Sequence, residues 1–437
     1  MPSLRTPAAR LALASLLAPA LLPLALQAQR PDPLAAEIDR RAKAIAPRVI
    51  EWRHDIHRNP ELSFQETRTA ALVADHLRKL GIEVRTGVGG NGVIGVLKGG
   101  KPGPVVALRA DMDALPVTEL ADVPFKSTVR TVYNGVETGV MHACGHDMHV
   151  AILMGTAEVL AGMRDQLPGT VKFVFQHAEE GSNGGGGAKP MIEAGALEAP
   201  KVDAIFALHV GPGPLGHVDY RPGATAASTD NFRIVVRGKQ THGAYPSAGV
   251  DPLVVGAQIL LGLQTIVSRQ MDLAQAPLIV TVGAFNGGLR ENIIPDTAVM
   301  IGTIRTLDPA MRTDAHARLR RTAEQIALSA GARAEVTISQ GYPVTVNDAA
   351  LADFLGPVLR RTVGTDRVSL SQPGLAAEDF SYFLEKVPGV MFSLAVTPTA
   401  VDWRTAASNH SPYFVGDDAA LETGVRLMSN AAAEYLR

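Results

Sequence analysis

Apolar residues recur every three or four positions from Leu34 through Ile38, Ala42, Ile45, Val49 and Trp52 to Ile56, and the run stops before Pro60. That spacing predicts an amphipathic helix over 34–58. A second helix is predicted over 66–80, closed by Gly81. Beyond it the period shortens. "IEVRT" and "GVIGVLKG" read as a strand pair and "PVVALRAD" as a buried strand, followed by a helix over 150–163. "TVKFVFQ" and "DAIFALHV" are two further strands, with a helical stretch near 187–196 between them. Strands alternating with helices predict an α/β fold, a mostly parallel sheet with helices on both faces.

Near residue 222 the pattern changes. "NFRIVVRG", "LIVTVGAFNGG", "AVMIGTIRT" and "ARAEVTIS" are strands, with helices at 252–270 and 309–330. The order β-α-β-β-α-β predicts a ferredoxin-like α+β unit with its own core. After about 340 the earlier alternation resumes. The simplest organisation is one domain made of 29–222 and 340–437, interrupted by a second domain at 223–339.

Composition agrees and adds limits. An apolar content of 46% with 19% charged residues is that of a globular protein, and 437 residues exceed one ordinary core. A formal charge of −2 offers no footprint for nucleic acid, so no nucleic-acid partner is expected. The N-terminus stands apart: Arg5 and Arg10 precede an Ala/Leu run that ends in small residues near Ala28. That layout predicts a signal peptide over 1–28, hence an exported protein, periplasmic or secreted. No later stretch reads as long and apolar enough to span a bilayer, so no stable membrane insertion is expected.

The candidate chemistry centres on "MHACGHDMH", which holds the only cysteine, Cys144. One cysteine cannot form an internal disulfide, and outside the cytoplasm a thiol needs protection that metal ligation would give. A spacing of two puts Cys144 and His146 on one side of an extended segment, with Gly145 leaving room between them and Asp147 as N-cap of a helix starting at Met148. His142 shares that direction and spacing does not exclude it; His149, on the first helical turn, belongs behind the ligands. The predicted strand ends deliver Asp111 and Asp113, Glu179 and Glu180, and His209, and "SNHSPYF" adds His410 in a loop. Ligands of open α/β sheets gather at the carboxyl ends of strands. Cysteine, histidine and carboxylate together suit a divalent ion such as zinc or manganese.

Nine ordered blocks carry a resemblance: "HRNPELSFQET", "LRADMDALPV", "MHACGHDMHVA", "FQHAEEG…GGAKPMIEAGAL", "FALHV", "GKQTHGAYPSAGVDP", "ENIIPDTAVMIGTIRT", "AEDFSYF" and "NHSPYF". Together they resemble the aminoacylase/carboxypeptidase family of metallopeptidases, in the branch of hippurate hydrolases and auxin–amino-acid conjugate hydrolases. The resemblance implies a zinc-exopeptidase-like catalytic domain interrupted by a lid domain that also makes a homodimer. It implies two divalent ions per subunit, with zinc or manganese expected and nickel or cobalt also acceptable to the ligands. Cys144 becomes the bridging thiolate, His146, Glu180, His209 and His410 the other ligands, and Glu179 the general base. Asp113 resembles the family's acid behind the ligands, a role Asp111 shares. His242 matches an oxyanion-stabilising histidine acting across the dimer, and Asn292 and Arg305 match positions that hold the substrate's free carboxylate. The implied substrate is a small N-acyl amino acid or a dipeptide.

The sequence departs from that pattern in a long segment before the metal motif, in a lengthened "GSNGGGGAK" loop, and in His177, where the family usually has proline. Two readings compete with N-acyl-amino-acid hydrolysis. One is a dipeptidase, carboxypeptidase or carbamoyl/ureido amidohydrolase of the same family; the other is a non-catalytic binder of acylated amino acids. "GVGGNG" at 87–92 spells a dinucleotide fingerprint, but a strand follows it, so it is expected to be a turn.

Overall fold

A computed structural model describes residues 32–181 and 186–437. The expected signal peptide, 1–28, lies outside the described residues. Helix starts follow a local rule. Asp32, Asp251 and Asp308 each precede a proline and accept backbone N–H bonds from the first turn of Pro33–Arg58, Pro252–Thr265 and Pro309–Ser329. Proline presets φ at the first helical position, where its missing N–H costs nothing.

The larger sheet has eight strands, ordered Glu83–Val88, Gly92–Lys98, Pro168–Gln176, Lys101–Asp111, Ala204–Pro214, Gly389–Thr397, Val218–Tyr220 and Val368–Leu370. Its four central strands, from Pro168–Gln176 to Gly389–Thr397, run parallel. Glu83–Val88 and Gly92–Lys98 are antiparallel, so "GVGGNG" is the expected hairpin turn. Helix His146–Ala161 is apolar on every side and accordingly buried along nearly its whole length. It packs between Pro33–Arg58 and Ala419–Tyr435 on one face of the sheet.

The inserted unit is a four-stranded antiparallel sheet, ordered Leu278–Gly287, Thr297–Thr306, Asp230–Arg237 and Arg333–Gln340. Its two helices, Pro252–Thr265 and Pro309–Ser329, close a separate core around Ile234, Ile259, Met300 and Leu319. A short ribbon of Gly223–Ala226 with Thr345–Asn347 lies where the chain passes between the units. The expectation that no stretch after the N-terminus is long and apolar enough to span a bilayer does not hold. The helical stretch Pro252–Gln270, 19 residues with an 18-residue window of mean hydropathy 1.3, is by length and composition alone long and apolar enough to cross a bilayer. Val255, Ile259, Leu263 and Ile266 face the lid core, whereas Val254 and Leu261 remain exposed on the other side.

Candidate metal centre

The five expected ligands converge on Cys144: His146 follows it in the chain, Glu180 comes from the turn after Pro168–Gln176, His209 from within Ala204–Pro214 and His410 from the loop after Gly389–Thr397. Cys144, His146 and His209 place one donor atom each within 4.8 Å of one another, and so do Cys144, Glu180 and His410. Cys144 is the common corner. How it gets there differs from the extended segment expected. Gly145 turns left-handed (φ +89°), and the helix begins at His146, so a bend brings Cys144 and His146 together. A Cβ at Gly145 would come within 2.4 Å of Val210, so only glycine fits this bend. Asp147 is therefore inside the first turn and caps nothing. It is buried and binds Arg53 Nε and His57 Nδ1, both at 2.8 Å.

Glu179 and Glu180 likewise sit in a turn, not on an extended strand, because Ala178 takes φ +52°. Buried Asp113 holds that turn. Its Oδ1 accepts from Glu179 N at 3.0 Å, and its Oδ2 accepts from Glu180 N at 2.9 Å and Ser63 Oγ at 2.6 Å. The backbone carbonyl of Asp113 lies 2.8 Å from His146 Nδ1, which orients that ring with Nε2 toward the cluster. Val210 O does the same for His209 at 2.7 Å from Nδ1. His410 adopts φ +70° and is pinned by its own N–H on Ala143 O. Beside it, Asn409 Nδ2 donates to Cys144 O (2.9 Å) and Val210 O (3.1 Å), joining the segments that carry Cys144, His209 and His410.

The donor set fits divalent ions. His146 Nε2 and Glu180 Oε1 are buried without hydrogen-bond partners; His410 Nε2 lies 2.9 Å from Glu180 Oε1 but outside hydrogen-bond alignment. Burial would raise the Cys144 thiol, yet the facing His209 and His146 hold it well below its ordinary range. Burial opposes protonation of His209, but the Cys144 sulfur outweighs it and lifts the ring to about 9. His410 rises to about 10 through Cys144 and Glu180. The cluster thus draws in positive charge, as an ionised thiolate with carboxylates does. Burial raises Glu179 well above the usual carboxylate range, helped by Glu378 and Glu180, as suits a proton carrier.

Asp111, His146 and His149 also meet within 4.8 Å. However, His149 Nδ1 faces Asp111 Oδ1 at 2.6 Å and its Nε2 accepts from Val210 N at 2.8 Å, so both nitrogens are engaged. His149 therefore has neither nitrogen open to the cluster. His142 joins no group of potential ligands among the described residues; it is buried with neither nitrogen partnered, and burial pushes it down to about 3.

Arg305 reaches the site: it lines a cleft of about 1140 Å³ together with Cys144, Glu179, Glu180, His209 and His410. His242 and Asn292 do not line it. They lie side by side on the lid surface, where Gly243 N donates to Asn292 O and His242 pairs with Ile293. Sequence reasoning missed several participants. Buried Arg109 binds Asp111, Glu378 and Asp379 at 2.6–3.0 Å, and Tyr342 donates to Glu179 O at 2.5 Å. The block "AEDFSYF" contains Glu378 and Asp379, and an arginine inside the apolar strand "PVVALRAD" is itself a signal of a buried charge partner.

A parallel α/β sheet carrying two donor groups joined at one thiolate, under an inserted lid, defines a class of metal-dependent hydrolases. Residues 107–434 match the sequence profile described as peptidase family M20/M25/M40, and the chain belongs to that family. It is 43% identical over 394 residues to thermostable carboxypeptidase 2 of Saccharolobus solfataricus, covering 90% of this chain and 96% of that one. To IAA-amino acid hydrolase ILR1-like 2 of Arabidopsis thaliana it is 37% identical, covering 90% and 87%. A crystal structure from Bacillus subtilis, described as a dinuclear metal binding peptidase from the M20 family, superposes with a TM-score of 0.76 at 35% identity, covering 90% and 99%.

Proposed function

We propose that the protein is an exported, homodimeric amidohydrolase that cleaves N-acyl amino acids, using two divalent ions per subunit. One observation carries the reading: Cys144 is shared by two groups of donors, so five ligands serve two sites through one sulfur. Ions held by Cys144, His146, Glu180, His209 and His410 would supply Lewis acidity to the scissile carbonyl and ready the attacking water. Zinc or manganese is the expected ion, and nickel or cobalt would also bind. Glu179, buried beside them, takes a proton from the water and passes it to the departing amine nitrogen. Arg305, on the cleft wall, offers a planar fork to the substrate carboxylate.

His242 and Asn292 lie outside their own chain's cleft, which supports their delivery to a second subunit's site for the oxyanion and the carboxylate. The exposed apolar side of Pro252–Gln270 and the free edge strand Leu278–Gly287 support a lid-to-lid dimer. Export rests on the leader alone. The similarity to a carboxypeptidase keeps peptide substrates as the second reading. The test is a panel of acetyl-, benzoyl- and indoleacetyl-amino acids against dipeptides, with wild type and Glu179→Gln. N-acyl turnover that vanishes in a variant retaining its metal supports the proposal. Preferred dipeptide cleavage selects the second reading, and no turnover by metal-loaded protein favours a binder.

A further inference from the structure

The turn that carries Glu179 and Glu180 is held by more than Asp113. Glu66 occupies the N-cap position of helix Thr67–Lys79 without capping it. Glu61 does that work instead, accepting from Arg68 N at 2.9 Å and Thr69 N at 2.8 Å. Glu66 is thereby released to point away from its own helix. Its carboxylate is fully buried, and Oε1 accepts from Ala178 N at 2.7 Å and Phe64 N at 2.9 Å, while Oε2 accepts from Asn91 Nδ2 at 3.1 Å. The amides of Ala178, Glu179 and Glu180 thus all end on two buried carboxylates, Glu66 for the first and Asp113 for the others. Ala178 needs such restraint, because φ +52° is unfavourable for a residue with a Cβ. The "GVGGNG" hairpin turn finds its use here, since it presents Asn91 to Glu66.

We propose that Glu66 is a positioning residue for the reaction: through Ala178 it fixes the turn that aims Glu179, and Asn91 fixes Glu66. The inference rests on the reading of Glu179 as general base. Reach, not charge, is what the geometry demands. Glu66→Gln keeps an acceptor oxygen at the same place, and the Asn91 amide turns over to meet its NH2. Glu66→Asp keeps the charge but withdraws it by about 1.5 Å, which breaks the contact with Ala178 N.

The experiment compares kcat and KM of metal-loaded wild type, E66Q and E66D on the best amide substrate, with amide hydrogen exchange over 177–181. The expected result is E66Q within about threefold of wild type, and E66D with kcat down about ten- to hundredfold at nearly unchanged KM. Exchange at residue 178 should be about tenfold faster in E66D alone. Full kcat in E66D, or greater damage in E66Q, overturns the proposal. Should E66D not fold, N91A takes its place: a fall in kcat of about threefold or more with faster exchange at 178 supports the clamp, and wild-type values refute it. If wild type cleaves no amide, the base assignment fails, yet the exchange rates still decide whether Glu66 holds the turn.

Discussion

Replacing Asp113 by asparagine changes one heavy atom and tests how Glu179, the proposed base, and Glu180, a proposed ligand, are held. The residue is 1% exposed, and its ionised form is favoured: burial opposes it, but His146, Ser63 and the Glu180 amide prevail. One oxygen serves Glu179 N, the other Glu180 N and Ser63 Oγ. In Asp113→Asn either orientation turns an NH2 against one of those two backbone donors. A hydrogen bond to a charged acceptor contributes about 1.5–3 kcal/mol, and a buried N–H left unpaired costs a similar amount. If only one such bond is forfeited on the way to the transition state, kcat/KM falls about 10- to 100-fold. The assay is kcat/KM with metal content measured on the same samples, beside a thermal melt. Loss of rate with weaker metal retention is expected. An Asp113→Asn enzyme within twofold of wild type would refute the idea that this carboxylate sets the turn.

Three further outcomes follow from named contacts. Removing the phenol in Tyr342→Phe deletes the hydrogen bond to Glu179 O, worth about 1 kcal/mol, so kcat should drop about fivefold in steady-state assays while bound metal is unchanged. Arg109→Met strands Asp111, Glu378 and Asp379 around an absent cation; urea unfolding should show a loss of about 3–5 kcal/mol. His57 is raised to about 9: burial opposes the charge, but Asp147 and Glu119 outweigh it. A folded value above the unfolded 6.5 means this stabilisation, about 3 kcal/mol, is complete below pH 6.5 and lost as pH rises through 9. Urea titrations of wild type and His57→Gln should therefore differ most near pH 6 and converge above pH 9.

Much of this was legible because periodicity reports burial. The alternation of strands and helices, the switch near residue 222 and the carboxylates and histidines at strand ends all follow from local pattern. What stayed hidden depends on single backbone angles or on distant partners. Gly145 and Ala178 turn left-handed, and those two angles, not side-chain alternation, aim Cys144, His146, Glu179 and Glu180. Asp147 looked like a helix cap, but its partners Arg53 and His57 lie some ninety residues earlier. Arg109 meets Glu378 and Asp379 across 269 and 270 positions, a pairing no local window contains. The resemblance pairs Asn292 with Arg305 on the substrate carboxylate and sends His242 across the dimer; in the chain His242 and Asn292 neighbour each other and stand apart from the cleft that Arg305 lines.

One sulfur, that of Cys144, is proposed to join two metal sites. Metal stoichiometry of purified wild type and Cys144→Ala, by elemental analysis after exhaustive dialysis, addresses it directly. Two ions per wild-type chain, with both sites depleted together in the variant, is the expected result. A variant that still holds two ions, or a wild type that never holds more than one, would contradict the account.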